Sequence, residues 1–263
     1  MPSLSPDTVN ELAELLENAE LQASDVVKIT DAHPEMDYED AYNIQDAIKA
    51  RKLARGDKLS GLKMGLTSLA KMKQMGVDDP IRGFLVDYFA CADGATIDTS
   101  KLIHPKIEAE VAFVLKTALE GPEVTAEEVL DATEYVVAAL EIIDSRYENF
   151  RFDLRSVVAD NCSSSRYVIG SRIARPRDFD LITQGVVMEK NGEVVQTGSG
   201  AAVLGDPALS VAMLAKMLHA RGERIEAGTF ILTGGVTAAV LVEPGDCITA
   251  KYQHLGAVTV RFE

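Results

Sequence analysis

The 263-residue sequence has no surplus of positive charge: 26 lysines and arginines face 41 aspartates and glutamates, a net charge of −15, and no basic stripe with interleaved aromatics offsets it. Such a chain repels a phosphate backbone, which argues against a nucleic-acid partner, and the acidity itself reads as a solvated surface. Cysteine is scarce and odd in number. Cys91, Cys162 and Cys247 lie far apart, without the close Cys or His pairs of a zinc site, and read as free thiols in a reducing compartment. His33, His104, His219 and His254 lack ligand-like spacing as well. Met1-Pro2-Ser3 turns polar at once, unlike a secretory signal, and no apolar run reads as long enough to cross a bilayer, so a cytoplasmic chain with no membrane partner is expected. There is no internal repeat, low-complexity tract or alternating βαβ unit, which argues against Rossmann and TIM architectures.

What is present falls into two textures. Leu12, Leu15, Leu16 and Ala19 recur at helical spacing behind the cap Ser5-Pro6-Asp7, and Ala41, Ile44 and Ile48 repeat the pattern after His33-Pro34. From about Leu59 the chain changes to short apolar runs broken by glycine, proline and Asp/Asn turns. Two clear helices interrupt them, one starting at the capping box Thr125-Ala126-Glu127-Glu128 and one running from Asp206-Pro207 to Gly222. Asn191-Gly192 predicts a hairpin joining residues 186–190 to 193–196, and Leu255-Gly256 another joining 247–252 to 257–262. The expected class is α+β, with an N-terminal helical extension over residues 1–58 and a catalytic domain of mixed β-sheet over residues 59–263.

The segment Ile107-Glu108-Ala109-Glu110-Val111-Ala112-Phe113-Val114-Leu115 carries the most chemical information. As a strand it sets Glu108 and Glu110 on one face, roughly 7 Å apart, and that face continues into Ala112 and Val114 while the other carries Ile107, Val111 and Phe113. Both faces look covered, so two neighbouring carboxylates there need protons or a cation. Glu141 stands in equally apolar company, after Tyr135-Val136-Val137-Ala138-Ala139-Leu140 and before Ile142-Ile143. Arg146 is the ordinary partner for it. A shared metal ion instead explains three awkward glutamates by one cause, and an all-oxygen set selects Mg²⁺ or Mn²⁺. Lys63 is a cation in the apolar, glycine-rich Gly61-Leu62-Lys63-Met64-Gly65-Leu66-Thr67, where a strand-edge lysine reaching water is the plain alternative. Asp160-Asn161-Cys162-Ser163-Ser164 and Leu232-Thr233-Gly234-Gly235-Val236-Thr237 are polar or glycine-rich clusters that taken singly read as turns, as does Asp78 before Asp79-Pro80.

These residues together resemble the hydratase/decarboxylase branch of the fumarylacetoacetate hydrolase superfamily. Lys63 to Ser68, His104 to Glu110, Glu141 to Tyr147, Asp160 to Ser164 and Leu232 to Thr237 stand in that family's order, and the likeness spans nearly the whole chain. It implies a barrel-like core of mixed β-sheet, metal ligands Glu108, Glu110 and Glu141, a catalytic Lys63, and substrate contacts from Leu66, Asp78, Ser163 and Thr233. Asp144-Ser145-Arg146-Tyr147 and Gly234-Gly235-Val236-Thr237-Ala238-Ala239 place the chain on the decarboxylase side; Cys162 and Leu69 depart from the usual pattern. The implied reaction is metal-dependent loss of CO₂ from 2-oxo-3-hexenedioate, a small dicarboxylic keto acid, with no organic cofactor. The resemblance further implies a homo-oligomer and a complex with the hydratase that consumes the product, 2-hydroxypenta-2,4-dienoate. Three other readings stand beside it: the hydratase itself, its non-catalytic partner subunit, and a C–C bond hydrolase, for which His33 is the one early candidate base.

Overall fold

In the computed structural model, which describes residues 3–69, 72–73 and 79–263, the chain starts with two capped helices. In α1 (Pro6–Gln22) the Ser5 hydroxyl accepts the Thr8 amide, and α2 (Tyr38–Arg55) opens on a reciprocal Asp37–Asp40 capping box and stops at Gly56, whose φ is 108°. Leu12, Leu16, Ala19, Ala41, Ile44 and Ile48 are buried as their spacing predicts, whereas Leu15 lies on the exposed flank. These helices share an apolar core with the sheet behind them, where Leu16, Ile44 and Ile48 join Phe84, Phe89, Val137 and Phe230.

The strands are β1 (Leu59–Gly65), β2 (Ile81–Val86), β3 (Ala90–Cys91), β4 (Thr96–Ile97), β5 (Lys106–Leu115), β6 (Thr133–Ile143), β7 (Ser164–Ala174), β8 (Gly185–Lys190), β9 (Glu193–Ser199), β10 (Phe230–Gly235), β11 (Val240–Leu241), β12 (Cys247–Tyr252) and β13 (Gly256–Phe262). Among the described residues they form an eight-stranded mixed sheet, ordered β2-β1-β10-β5-β6-β7-β3 with β11 on β5, and a five-stranded sheet ordered β4-β13-β12-β8-β9. One face of the large sheet, with Val111, Phe113, Leu140 and Val168, packs on Met188, Ile248, Val258 and Val260 of the small one. The opposite face receives the N-terminal helices. Both faces of β5 and β6 are therefore covered, which is why their sequences run apolar instead of alternating.

Helix α3 (Ala126–Ala132) starts at the predicted Thr125–Glu128 capping box, and both predicted hairpins form, with Asn191 and Gly192 at the positive φ values that a tight primed turn demands. A further short helix, α4 (Leu154–Ala159), is capped by Asp153 and lay below what apolar spacing reveals. The expectation that no apolar run has spanning length is corrected at Gly200–His219, 20 residues of mean hydropathy 1.5. Its second part is α5 (Pro207–His219), and Ala208, Val211, Leu214, Ala215 and Leu218 pack into the core. A core helix reaches the same apolarity as a membrane span, and half of this stretch is buried inside the fold.

Candidate active site

The register of two strands assembles the carboxylates. In the antiparallel β5–β6 pair Glu108 stands directly opposite Glu141, and Glu110 follows two residues along the same face. Carboxylate oxygens of all three lie within 4.8 Å of one another, with Glu110 and Glu141 buried and Glu108 half-buried. The neighbouring β10 makes room for them. Gly235 is the residue opposite Glu110, and a Cβ there would stand 2.9 Å from Glu108 Oε2. Gly234, at φ 105°, donates its amide to Glu110 Oε2 at 2.7 Å, and any Cβ at that position would overlap Thr67 Oγ1.

Lys63 enters from β1 and is almost wholly buried. Its Nζ lies 3.3 Å from Glu141 Oε2 and donates to the Cys162 carbonyl at 3.2 Å. Burial works to lower the ammonium's pKa, but the surrounding charges, Glu141 foremost, outweigh it and hold the group above its ordinary value, so Lys63 is a cation here. The ordinary partner considered for Glu141, Arg146, is engaged elsewhere: it pairs with buried Asp160 and donates to the Asp144 and Ser164 carbonyls at 2.7 and 2.9 Å. Burial, then the charge of Glu141, raises the pKa of Glu110 well above the carboxylate range, and its Oε1 is buried with no hydrogen-bond partner. Three carboxyl groups crowd together in a largely desolvated cluster, and Lys63 is the cation placed against Glu141. A divalent ion answers both the charge and the unpartnered oxygen, and an all-carboxylate set suits a hard cation.

The cluster opens on a cleft of about 270 Å³. Lys63, Glu108, Leu66 and Ser163 line it with Lys106, and Ile81, Ile143, Phe150, Phe152, Val157 and Ala239 give it apolar walls. Leu66 is held at φ 55°, turning the chain after β1. Ser163 belongs to a stretch in which Asn161, Cys162 and Ser163 all take left-handed backbone angles, φ 48°, 54° and 57°. Three successive non-glycine residues in that region are strained, and surrounding bonds hold them there. The Asn161 side chain accepts the Phe84 amide at 2.9 Å and donates to the Phe84 carbonyl at 3.0 Å, Asp144 donates its amide to the Ser163 carbonyl at 2.7 Å, and Arg146 grips Asp160. This turn presents the Cys162 carbonyl to Lys63. The Cys162 thiol points instead to the Arg82 carbonyl, at 3.1 Å, and burial pushes its pKa up to about 12, so it is no nucleophile.

Thr233 is placed differently from the expectation. It is fully buried, its hydroxyl donates to the Val111 carbonyl at 2.7 Å, and it is absent from the cleft lining, so it braces β10 against β5 beneath the two glycines. Asp78 lies outside the described residues. His33 is a partly exposed residue 3.5 Å from Glu35, and no histidine lines the cleft among the described residues. Sequence reasoning missed Lys106, Phe150 and Phe152. Lys106 precedes Glu108 by two on the same strand face, which the alternation already implied, and its Nζ sits 3.8 Å from the Phe150 ring centre. Asp144 to Tyr147 face inward: the Asp144 carboxylate accepts the Ile103 and His104 amides and the Tyr147 hydroxyl donates to the Ser156 carbonyl.

The profile of the fumarylacetoacetate (FAA) hydrolase C-terminal family matches residues 84–263. The chain belongs to the fumarylacetoacetate hydrolase family. Within that family it is similar to a 4-oxalocrotonate decarboxylase of Pseudomonas putida, with 62% identity over 99% of this chain and 98% of the relative. A 2-keto-4-pentenoate hydratase of Paraburkholderia xenovorans is 39% identical over 99% of this chain and 97% of its own length. Among solved structures, the 4-oxalocrotonate decarboxylase of Pseudomonas putida G7, complexed with magnesium and adipate, superposes with a TM-score of 0.98 at 58% identity, covering 100% of both chains. The family match begins after Lys63, so the lysine and the N-terminal helices are contributed by the part of the chain shared with these relatives and lying outside the profile.

Proposed function

We propose that this cleft releases CO₂ from 2-oxo-3-hexenedioate to give 2-hydroxypenta-2,4-dienoate, using Mg²⁺ or Mn²⁺ held by Glu108, Glu110 and Glu141 and no organic cofactor. The observation that carries the reading is the convergence of three carboxyl groups, Glu110 and Glu141 buried and Glu108 half-buried, beside the ammonium of Lys63. The ion, when bound, supplies a Lewis acid for the oxygens of an α-keto acid.

The remaining work falls to the chain. In the substrate the carboxylate to be lost is a vinylogous β-keto acid, so the electron pair freed with CO₂ can pass along the conjugated carbons to the keto oxygen. Lys63, fixed by Glu141 and the Cys162 carbonyl, supports that oxygen as charge builds on it and holds a proton at Nζ within reach. Leu66 and Ser163 line the path of the substrate chain, and Asp78 belongs to the same proposed set. Ile81, Ile143, Phe152 and Val157 keep water from the carbons being rearranged, favouring neutral CO₂ over the carboxylate it replaces. We assign Thr233 to the support of Gly234 and Gly235.

The similarity to decarboxylases at 62% identity, against 39% for a hydratase, supports this choice between sister reactions. Purified protein treated with chelator, then given Mg²⁺ or Mn²⁺ and each substrate separately, separates them. Metal-dependent CO₂ release from the dicarboxylate is the expected result; water addition to the dienoate alone would establish the hydratase. Full turnover by a Glu110→Gln variant would return the chain to the role of non-catalytic partner. A cytoplasmic homo-oligomer associated with a dienoate hydratase completes the proposal, because an unstable dienol is best handed on before it ketonises.

A further inference from the structure

A second cavity, of about 380 Å³, lies on the other side of the β1–β2 wall from the cleft. The wall is a single sheet layer at that point: Leu62 and Arg82 line the second cavity, while their chain neighbours Lys63 and Gly83 face the catalytic side, where a Cβ on Gly83 would stand 3.2 Å from the Lys63 side chain. Helix α2 contributes Gln45 and Lys49, and the segment before β10 closes the far side with Arg224 and Glu226.

The charges around this cavity are paired, with one exception. Lys49 meets Asp46 at 2.7 Å, Arg224 meets Glu226 at 2.8 Å, and Glu223 meets Arg221 at 3.8 Å. Arg82, only 4% exposed, has no carboxylate within ion-pair distance among the described residues. Its guanidinium lies 4.7 Å from the centre of the Tyr42 ring, and Nη2 is buried with no acceptor. A ring face relieves part of the cost of a desolvated guanidinium and leaves the in-plane Nη2 donor unmet. The rest of the lining is mainly apolar, with Leu59, Leu62, Phe84, Leu218 and Ala227.

We propose that this cavity is a binding site for a small organic acid, separate from the catalytic cleft, with the carboxylate on Arg82 and the hydrocarbon body against Leu59, Leu62 and Phe84. A planar guanidinium matches a carboxylate with two parallel hydrogen bonds, and the apolar walls select an acid with a carbon chain over an inorganic anion. The Ser60 hydroxyl, which accepts from Tyr167 at 3.0 Å, keeps its own proton to donate at the same wall. Occupancy at Arg82 touches the catalytic side directly, because its backbone carbonyl accepts from both Gln45 and the Cys162 thiol.

Hexanoate, which has a carbon chain and no keto group to chelate a metal, is the probe, and isothermal titration calorimetry on the metal-free full chain is the measurement. Saturable hexanoate binding is expected in the wild type and in Glu110→Gln, with at least a tenfold loss of affinity in Arg82→Met. Inorganic phosphate is expected to bind far more weakly. Because Arg82→Met alters a buried position, Leu59→Glu serves as a second variant; Leu59 is 51% exposed, so the added carboxylate faces the acid from the rim and should weaken binding severalfold without disturbing the fold. Hexanoate affinity unchanged in both Arg82→Met and Leu59→Glu would overturn the proposal, as would tighter binding to Glu110→Gln, since relief of a negative charge there favours an acid held in the catalytic cleft. Binding of phosphate in preference to hexanoate would overturn the assignment of an organic acid.

Discussion

Glu110 occupies the position with least water and most like charge: it is fully buried, two residues from Glu108, and held by the Gly234 amide. Replacing it by glutamine removes the metal ligand proposed above and a repulsion together, so the two effects should separate. Metal-dependent turnover should fall by about a hundredfold or more, while the melting temperature of the metal-free protein rises, because a carboxylate that lacked a partner for Oε1 is gone. Calorimetry with and without Mg²⁺ checks both, and a metal-free variant less stable than the wild type would contradict the charge argument. Lys63→Met should depress kcat strongly and leave Mg²⁺ affinity equal or tighter, since the cluster loses a cation held against Glu141. Lys106 lines the cleft with its ammonium over the Phe150 ring; Lys106→Met should raise KM for the dicarboxylate more than it lowers kcat, a split that steady-state kinetics reads directly.

At the level of elements, the left-handed turn Asn161–Ser163 and the shift in register of β10 against β5 between Leu232 and Gly235 are two places where the backbone departs from regularity, and both border the cleft. Asn161→Ala removes two bonds to Phe84 and should cost about 2 kcal/mol, measured by denaturant unfolding, with a drop in kcat as the Cys162 carbonyl drifts from Lys63. Asp160, behind the turn, has its pKa pushed up to about 6 by burial, with Arg146 pulling the other way. A raised folded-state pKa means that the folded state binds the proton more tightly, so the stability it lends is complete below the usual aspartate value of 3.8 and is lost as pH climbs through about 6. Unfolding free energies of wild type and Asp160→Asn, followed from pH 4 to 6, should show the wild type losing ground over that window. These strained features were the least visible in the sequence. Asp160 to Ser164 read as a compact polar turn, and nothing in its composition announced three non-glycine residues at positive φ, which depend on bonds from β2 and Arg146 far away in the chain.

On the scale of the whole molecule, the fold was readable wherever local chemistry decides it. The Thr125 capping box, the Asn191-Gly192 turn and the helical periodicity of Leu12, Leu16 and Ala19 each require only near neighbours. The glutamates were legible for a different reason: a carboxylate in an apolar run is costly, so its presence implies company. What the sequence could not supply was the pairing of distant strands. The opposition of Glu108 to Glu141, the seating of Lys63 between Glu141 and Cys162, and the diversion of Thr233 into bracing all arise from contacts spanning tens of residues, and Arg146 is turned aside by Asp160 beyond the reach of a local pattern. The reading that no apolar run has spanning length passed over Gly200–His219, which has that length and apolarity and is half buried inside the fold.

The alignment of β5 on β6 has one more implication. Side chains alternate along a strand, so sliding one of this pair past the other by a single residue would turn Ile142 or Leu140 toward Glu108 and send Glu141 to the opposite side of the sheet. Capture of the ion thus certifies that these two strands have zipped in the right frame. Deleting one residue from the middle of either should abolish it even where every acidic side chain is retained.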